Sequence, residues 1–305
     1  MGTLLRSTYS IVAADPDAGE VGCAVQSRAF TVGALVPWVR AAVGAAATQA
    51  YTLSASGPRI LDALAGGAEP REALRLAVDG DELSVRRQYG VVTVDGRGAS
   101  FTGAECEVWA GDRQGACYAA QGNLLTGPEV VDAMADSFEA SAGKALADRL
   151  MDSLDATEAA GGDRRGKQSA ALVVEQTGAA ETSRFGLDRV VDLRVDDHPE
   201  PLEELRRLLV IHWSGVLSIE SYRLYEQGDF VGAIENISRQ LERVPESAPM
   251  LYNLACYEAL ADRGEDAVAH LAKALRLDPG MLELARGDSD FDSLRQDEEF
   301  RALVS

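Results

Sequence analysis

Alternating apolar positions at the start of the chain predict two antiparallel strands joined by a tight turn. Apolar residues occupy every second position of the segments 8–14 and 20–27, which is the period of a half-buried strand. The intervening segment, Asp15-Pro-Asp-Ala-Gly19, has the composition of a turn. The pattern therefore predicts a β-hairpin whose first strand begins with a hydroxyl residue, Thr8.

The remaining pattern of the first 212 residues predicts an α+β domain. Strand patterns follow at about 44–48, 87–94, 99–102, 106–109, 116–122, 169–175 and 190–195. Helical patterns lie at about 57–65, 70–78, 128–140, 144–160 and 201–212. Strands in groups separated by helix pairs fit a doubly wound parallel sheet poorly. Two stacked sheets with helices on both outer faces, a four-layer αββα sandwich, would use every element.

Residues 213–305 contain only helical patterns, and these repeat. Four pairs of similar residues are spaced by 34 positions: Leu217 and Leu251, Ala233 and Ala267, Ile237 and Leu271, and Pro245 and Pro279. Thirty-four residues is the length of a tetratricopeptide unit, and the segments 225–233 and 251–257 resemble that repeat. We therefore expect a small all-α repeat domain that contacts a protein partner or self-associates, giving a homo-oligomer.

Charge and composition exclude several classes of protein. The net charge of −20 argues against nucleic acid and anionic membranes as partners, because both need clustered Lys and Arg. The chain offers neither a signal peptide nor a membrane span, so we expect a cytoplasmic protein. The four cysteines lack metal-ligand spacing, and we predict no metal and no cofactor.

A glycine-rich segment, Gly161-Gly-Asp-Arg-Arg-Gly-Lys167, is close to a phosphate-binding P-loop. Gln168 replaces the hydroxyl residue that binds magnesium, and the flanking order is helix–loop–strand instead of strand–loop–helix. Nucleotide hydrolysis is therefore rejected. Arg164 and Arg165 could hold a carboxylate or phosphate, or they could pair with local acidic residues.

One histidine lies beside carboxylates. His198 follows Asp196 and Asp197, and a hydrolase could use His198 with Asp196. The chain has no nucleophile elbow, and Asp197 could instead cap the following helix.

Motifs distributed over about residues 8–208 resemble the bacterial family catalogued as domain of unknown function 1028. These motifs are Thr8-Tyr-Ser-Ile-Val-Ala, Ala24-Val-Gln-Ser-Arg28, Val36-Pro-Trp-Val-Arg-Ala, Ala47-Thr-Gln-Ala, Phe101-Thr-Gly, Trp109-Ala-Gly, Gln121-Gly-Asn123, the segment 161–170 and Val191-Asp-Leu-Arg-Val-Asp-Asp-His-Pro. The family is grouped with the N-terminal-nucleophile hydrolases, which have the αββα sandwich and cleave amide bonds. The resemblance implies an amidohydrolase fold.

Carried onto this sequence, the resemblance makes Thr8 the nucleophile. Its α-amine, freed by cleavage of the Ser7–Thr8 bond, would act as general base. Residues Met1–Ser7 precede Thr8, so this leader must be removed. No lysine precedes position 144, so an arginine, Arg28 or Arg40, would supply positive charge.

The remaining expected site residues bind the substrate. Gln49 and Asn123 would help backbone N–H groups to hold the oxyanion, and Arg164 and Arg165 would bind a substrate carboxylate. The other expected substrate-binding residues are Thr48, Gln168 and Ser169. Two hypotheses remain open: an amidohydrolase for a small polar or anionic amide, and a non-catalytic binding or assembly protein that uses its helical repeats.

Overall fold

The structure, a computed structural model, describes residues 8–181, 187–242 and 244–305, without the side chains of residues 181 and 216–218. The chain divides into two units, residues 1–208 and 209–305. The division falls inside one helix, and so does the boundary at 212/213 expected from the sequence.

Strand pairing in the first unit builds two antiparallel sheets. The strands are β1 (Thr8–Asp15), β2 (Glu20–Ser27), β3 (Pro37–Arg40), β4 (Gly44–Ala50), β5 (Arg87–Thr93), β6 (Gly98–Thr102), β7 (Gly111–Gly115), β8 (Tyr118–Asn123), β9 (Ser169–Gln176) and β10 (Arg189–Val195). The larger sheet has the order β10-β9-β2-β1-β8-β7, and the smaller sheet has the order β3-β4-β5-β6. The predicted α+β class is confirmed.

Helices cover the sheets of this unit. They are α1 (Ser56–Ala65), α2 (Pro70–Val78), α3 (Glu129–Ala140) and α4 (Leu146–Ala159), and a further helix, α5 (Pro201–Glu226), continues into the second unit. Helices α1 and α2 contact the smaller sheet, α3 and α4 contact the larger sheet, and β1 and β2 contact β4. Small and β-branched side chains from both sheets, among them Val12, Val25, Ala47 and Val92, form the core between the sheets. Their small volume allows the two sheets to pack closely.

The strands expected from the sequence differ from those observed at three places. The segment Cys106–Trp109 is irregular, because its backbone closes a turn onto Gly103 and binds Leu124 and Leu125 at the end of β8. The sequence analysis also missed two edge strands: β7, at the edge of the larger sheet, and β3, which begins with Pro37 at the edge of the smaller sheet. Proline is compatible with that position because an edge strand needs fewer backbone donors.

Helix α5 is longer than predicted. It continues past His212 to Glu226 and stops just before Gly228, which has a positive φ of 76°. A glycine in this conformation is a common helix terminator. The predicted end was wrong because no such signal follows residue 212.

The second unit is helical. After α5 it contains α6 (Phe230–Leu241), α7 (Ala248–Leu260), α8 (Gly264–Leu277), α9 (Leu282–Gly287) and α10 (Glu298–Leu303). Helices α6 and α8 begin 34 residues apart, at Phe230 and Gly264. The repeated residues Ala233 and Ala267 are both fully buried in the core of the unit. In the part of the chain that the structure describes, no helix combines the length and apolar character required to cross a bilayer.

Candidate active site at the head of β1

Polar side chains from both sheets meet between the sheets, at the end where β1 begins. Strand alternation places Thr8 on the same side of β1 as Val12 of the inter-sheet core. The inter-sheet polar cluster consists of Thr8, Ser10, Ser27, Gln49, Gln88, Gln121 and Asn123, each at most 1 % exposed. Buried polar groups at this depth require hydrogen-bond partners.

Thr8 is held from three strands. Its hydroxyl donates to Ser27 Oγ over 3.2 Å. Its carbonyl oxygen accepts from Gln49 Nε2 at 3.2 Å and lies 3.5 Å from Asn123 Nδ2. Asn123 is also the register partner of Thr8 across β1 and β8. The backbone and the hydroxyl of Thr8 are therefore both oriented by buried neighbours.

The amide groups of Gln49 and Asn123 are already engaged by protein atoms. Gln49 Nε2 donates to Gln88 Oε1 at 2.8 Å and lies 3.3 Å from the Gln121 carbonyl oxygen, in addition to Thr8. Asn123 Nδ2 donates to Gln88 Oε1 at 2.9 Å. An amide nitrogen has two protons. Gln49 and Asn123 were predicted to help to hold the oxyanion. In the structure their side-chain amides instead face the Thr8 carbonyl oxygen, where they position Thr8.

The glycine-rich segment crosses the end of the larger sheet at the head of β1. The backbone N–H of Arg164 donates to the carbonyl of Leu124, directly after β8, and that of Gln168 donates to Ser27, the last residue of β2. These two strands flank β1. The segment therefore connects the two neighbours of β1 beside Thr8.

Asp163 fixes this segment. Its carboxylate is fully buried and accepts from the backbone N–H groups of Arg28 and Arg165, at 3.0 and 2.9 Å. The guanidinium of Arg165 pairs with the same carboxylate at 3.1 Å. Arg165 is thus engaged by a local acid, one of the two alternatives open from the sequence. Arg164 is exposed and forms no ion pair among the described residues.

The two arginines expected to supply positive charge lie in different places. Arg28 directly follows Ser27 and donates to Gln168 Oε1 at 3.0 Å, so it is near the head of β1. Arg40 lies opposite Gly44, at the other end of β4 from Gln49, and pairs with Asp62. The structure therefore brings Arg28 close to Thr8 and leaves Arg40 away from it.

The remaining expected binding residues have structural partners. Thr48 lies on the helix-facing side of β4 and bonds Trp38 Nε1 and the Leu35 carbonyl, both at 3.0 Å. Ser169 Oγ accepts from the Val32 N–H at 3.0 Å. Gln168 donates to Asp197 at 2.9 Å.

His198 also has a structural contact. Its Nδ1 accepts from the backbone N–H of Glu200 at 3.0 Å, next to the start of α5. The carbonyl of Asp196 accepts from the backbone N–H of Thr31. His198, and not Asp197, thus receives a hydrogen bond from the N–H group next to this helix.

A cleft with a volume of about 10 Å³, enough for about one water molecule, opens beside Asn123. Its lining includes Tyr51, Arg86, Glu105, Cys106, Glu107 and Asn123. Burial raises the pKa of the Cys106 thiol, the charge of Arg86 lowers it and that of Glu107 raises it. The thiol is therefore protonated and neutral at pH 7.

In the described residues of the second unit, one group of side chains has metal-ligand character. The ligand atoms of Cys256, Asp288 and Asp290 lie within 4.8 Å of one another. Tyr252 and Tyr225 already donate to the two carboxylates, at 2.8 and 3.1 Å. Burial raises the pKa of the Cys256 thiol, and the cluster is satisfied by its own hydrogen bonds.

Sequence reasoning did not single out Ser10, Ser27, Gln88 and Asp163 as residues of this site. Ser27 continues the apolar alternation of β2, and Gln88 is a fully buried polar residue within the apolar strand β5. Period-two alternation could have identified the faces of both. The role of Asp163 depends on contacts with residues 135 positions away, and no local signal predicts it.

Comparison with known proteins identifies the first unit. A crystal structure of protein SPO2555 from Silicibacter pomeroyi, itself assigned to DUF1028, is similar with a TM-score of 0.60 and 30 % sequence identity, covering 67 % of this chain and 88 % of that one. No curated protein matches significantly. The sequence profile described as "Family of unknown function (DUF1028)" matches residues 8–205. The chain therefore belongs to the DUF1028 family.

Proposed function

We propose that the first unit is an amidohydrolase of the N-terminal-nucleophile type, with Thr8 as its nucleophile. The observation that carries this proposal is the position of Thr8. It is the first residue of β1, lies between two antiparallel sheets, and is held through its carbonyl by Gln49 and Asn123. A reacting group needs such preorganisation by surrounding residues.

The arrangement of layers supports the same class. Helix pairs contact the outer face of each sheet, and the two sheets contact each other. This is the order expected of the αββα sandwich of N-terminal-nucleophile hydrolases. Fold similarity alone does not define an activity, so the proposal depends on the chemistry at Thr8.

In the proposed reaction, cleavage of the Ser7–Thr8 bond first frees the α-amine of Thr8. The unperturbed pKa of an α-amine, roughly 7.7–8.0, suits a general base near neutral pH. Thr8 Oγ1 then attacks the carbonyl carbon of the substrate amide, and its proton passes to the α-amine. The tetrahedral intermediate expels the amine, which takes this proton, and leaves an ester on Thr8. Water hydrolyses the ester and releases the acid.

The surrounding residues have distinct proposed roles. Gln49 and Asn123 position Thr8, and Ser27 orients its hydroxyl. Backbone N–H groups hold the oxyanion. Arg28 and Arg164, both exposed at the head of β1, bind the negative charge of a small polar or anionic substrate.

A non-catalytic binding or assembly role is the second candidate. The observation that favours it is the leader, because in the chain as encoded the nitrogen of Thr8 is part of a peptide bond. The 34-residue helical period of the second unit adds to it. In this case the helices would act as a tetratricopeptide-like module for a protein partner or for self-association.

Screening for hydrolysis of an amide library by wild type, Thr8→Ala and Thr8→Ser distinguishes the candidates. The enzyme hypothesis predicts activity that disappears in Thr8→Ala and partly survives in Thr8→Ser. Thr177→Ala is the matched control, because Thr177 is exposed and contacts Gly19 at the far end of the β1–β2 hairpin. Full activity in Thr8→Ala would reject the proposed nucleophile.

A further inference from the structure

A surface groove of the second unit combines aromatic rings with carboxylates. It offers a volume of about 450 Å³ between the end of α5, the start of α6, the end of α7 and the 3₁₀ helix Ser289–Leu294. The lining residues are Tyr225, Glu226, Gly228, Phe230, Leu260 and Asp290. Among the residues that the structure describes, no basic side chain belongs to this lining. The groove therefore has room for an incoming side chain, and the sign of its charge favours a cation.

Tyr225 is the centre of an aromatic surface at this groove. Its ring centroid lies 6.0 Å from that of Phe230 and 5.7 Å from that of the exposed Tyr222, one turn earlier on α5. The ring of the buried Tyr257 lies 5.5 Å away and supports it. The Tyr225 hydroxyl donates to Asp290 at 3.1 Å, which joins the rings to a carboxylate. Cations bind to the faces of such rings, and a guanidinium also stacks on them.

The carboxylates at the groove have no cationic partner of their own. Glu226 and Asp290, and also Asp288 beside the groove, form no ion pair among the described residues. Arg295 donates to the backbone carbonyl of Asp288, but its ion pair is with Asp292. Burial and the charge of Asp288 raise the pKa of Asp290 above its ordinary value. A bound cation would offset this repulsion, and a carboxylate has acceptor sites beyond the one already occupied by a hydroxyl.

The charge and the exposed apolar side chains around the groove indicate a polypeptide as the source of the cation. Acidic residues outnumber basic residues by 18 to 9 in residues 209–305, which attracts a basic segment at long range. Tyr222 and Val231, next to the lining on α5 and α6, are 54 % and 51 % exposed. A small cation would leave these side chains in water, whereas the neighbours of a basic residue in a polypeptide can cover them.

We propose that this groove binds an arginine side chain within a basic segment of a protein partner. The guanidinium packs against the rings of Tyr225 and Phe230 and donates to the carboxylates of Asp290 and Glu226. Arginine suits this lining better than lysine, because its planar guanidinium stacks on a ring while its N–H groups donate to carboxylates. The inference concerns the second unit alone and does not depend on amide hydrolysis at Thr8.

Peptide binding to the full chain tests the inference. The probes are a library of hexapeptides with acetylated and amidated ends, each with one central arginine and varied neighbours. The tightest binder is then compared by isothermal titration calorimetry with the same peptide carrying citrulline or lysine in place of arginine. Citrulline keeps nearly the shape of arginine without its charge. We expect an affinity lower by about tenfold or more for citrulline, and an intermediate affinity for lysine.

Two substitutions in the groove and two matched controls assign the binding to this surface. Glu226→Gln and Asp290→Asn should each weaken binding of the arginine peptide by about fivefold or more. Glu235→Gln and Asp266→Asn each remove one charge from an exposed position of the same unit outside the lining, and should change the affinity by less than about twofold. Circular dichroism checks that each variant is folded.

Three results would overturn the inference. They are the absence of any library member that binds with a Kd below about 1 mM, equal binding of the citrulline and arginine peptides, and unchanged affinity in both groove variants. Tighter binding of the lysine peptide than of the arginine peptide would reject the guanidinium as the group that is recognised.

Discussion

The side-chain amide of Gln49, on the smaller sheet, lies 3.2 Å from the carbonyl oxygen of Thr8, on the larger sheet. This contact joins the two sheets at the head of β1. The same Gln49 accepts from Ser10 Oγ at 2.6 Å and donates to Gln88. Gln49 therefore links the packing of the sheets to the orientation of the proposed nucleophile.

Replacement of Gln49 by leucine should destabilise the protein. The change removes a buried partner of three groups: the hydroxyl of Ser10, the side-chain oxygen Oε1 of Gln88 and the backbone carbonyl oxygen of Thr8. Unsatisfied buried groups cost about 1–3 kcal/mol each, so we expect a loss of roughly 2–4 kcal/mol in the free energy of unfolding, measured in urea. Gln114→Leu, at an exposed position on β7, is the control and should change stability by less than about 0.5 kcal/mol. Equal stability of the two variants would contradict the role of the cluster.

Gly90 should not tolerate a side chain. A Cβ at this position would lie 2.0 Å from Gln121 Oε1, inside the inter-sheet polar cluster. Gly90→Ala must displace Gln121, which donates to the Ser10 carbonyl at 3.0 Å. We expect a loss of about 1–3 kcal/mol in urea unfolding. Gly66→Ala is the control, because its Cβ would make only ordinary contacts at 3.4 Å; a Gly90→Ala protein as stable as this control would argue against the packing described.

Asp163 should order the segment at the head of β1. Asp163→Asn keeps the shape of the side chain but removes its negative charge. In the wild type that charge pairs with the guanidinium of Arg165 and strengthens the hydrogen bond from the Arg28 N–H. Loss of charge-assisted hydrogen bonds predicts about tenfold or faster amide exchange at Arg28 and Arg165. Native-state hydrogen exchange measures this, with Asp17→Asn, in the exposed hairpin turn, as the control. Unchanged exchange at both amides would show that other contacts hold the segment.

The second unit should be less stable at alkaline pH because of His270. A hydrogen bond to Glu258 at 2.8 Å raises the pKa of His270 above its ordinary value. Burial and Lys273 act in the opposite direction, and Asp266 adds to the increase. A raised folded-state pKa gives stability that is fully present below the unfolded pKa of about 6.5 and is lost as pH rises through the folded value.

Urea unfolding of wild type and His270→Gln between pH 5.5 and about 8.5 tests this dependence. We expect the wild type to exceed the variant by up to about 1 kcal/mol at the acidic end and by less at the alkaline end. A difference between wild type and His270→Gln that is constant across the range would refute the assignment.

The sequence predicted the elements and the position of Thr8 well, because alternation along a strand is a local property. It predicted the β1–β2 hairpin and placed Thr8 at its head. It missed the edge strands β3, where proline interrupts the pattern, and β7, which lacks apolar residues. It wrongly assigned a strand to Cys106–Trp109, whose conformation depends on contacts with Leu124 and Leu125.

The site required the tertiary structure. The partners of Thr8 are separated from it by 19 to 115 residues along the chain, and strand register decides which of them meet. The sequence identified Gln49 and Asn123 as polar residues near strand ends, but only the register assigns their amides to the Thr8 carbonyl. The two arginines of the glycine-rich segment likewise differ in their contacts. The carboxylate of Asp163 pairs with Arg165, whereas Arg164 is exposed.

The most direct test of the central claim is the intact mass of the purified full chain, expressed from Met1 without an N-terminal tag. The account predicts a mass lower by that of Met1–Ser7, with Thr8 as the new N-terminal residue, in the preparation that hydrolyses amides. Retention of the leader, or loss of Met1 alone, would leave Thr8 without its α-amine and would contradict the proposed mechanism.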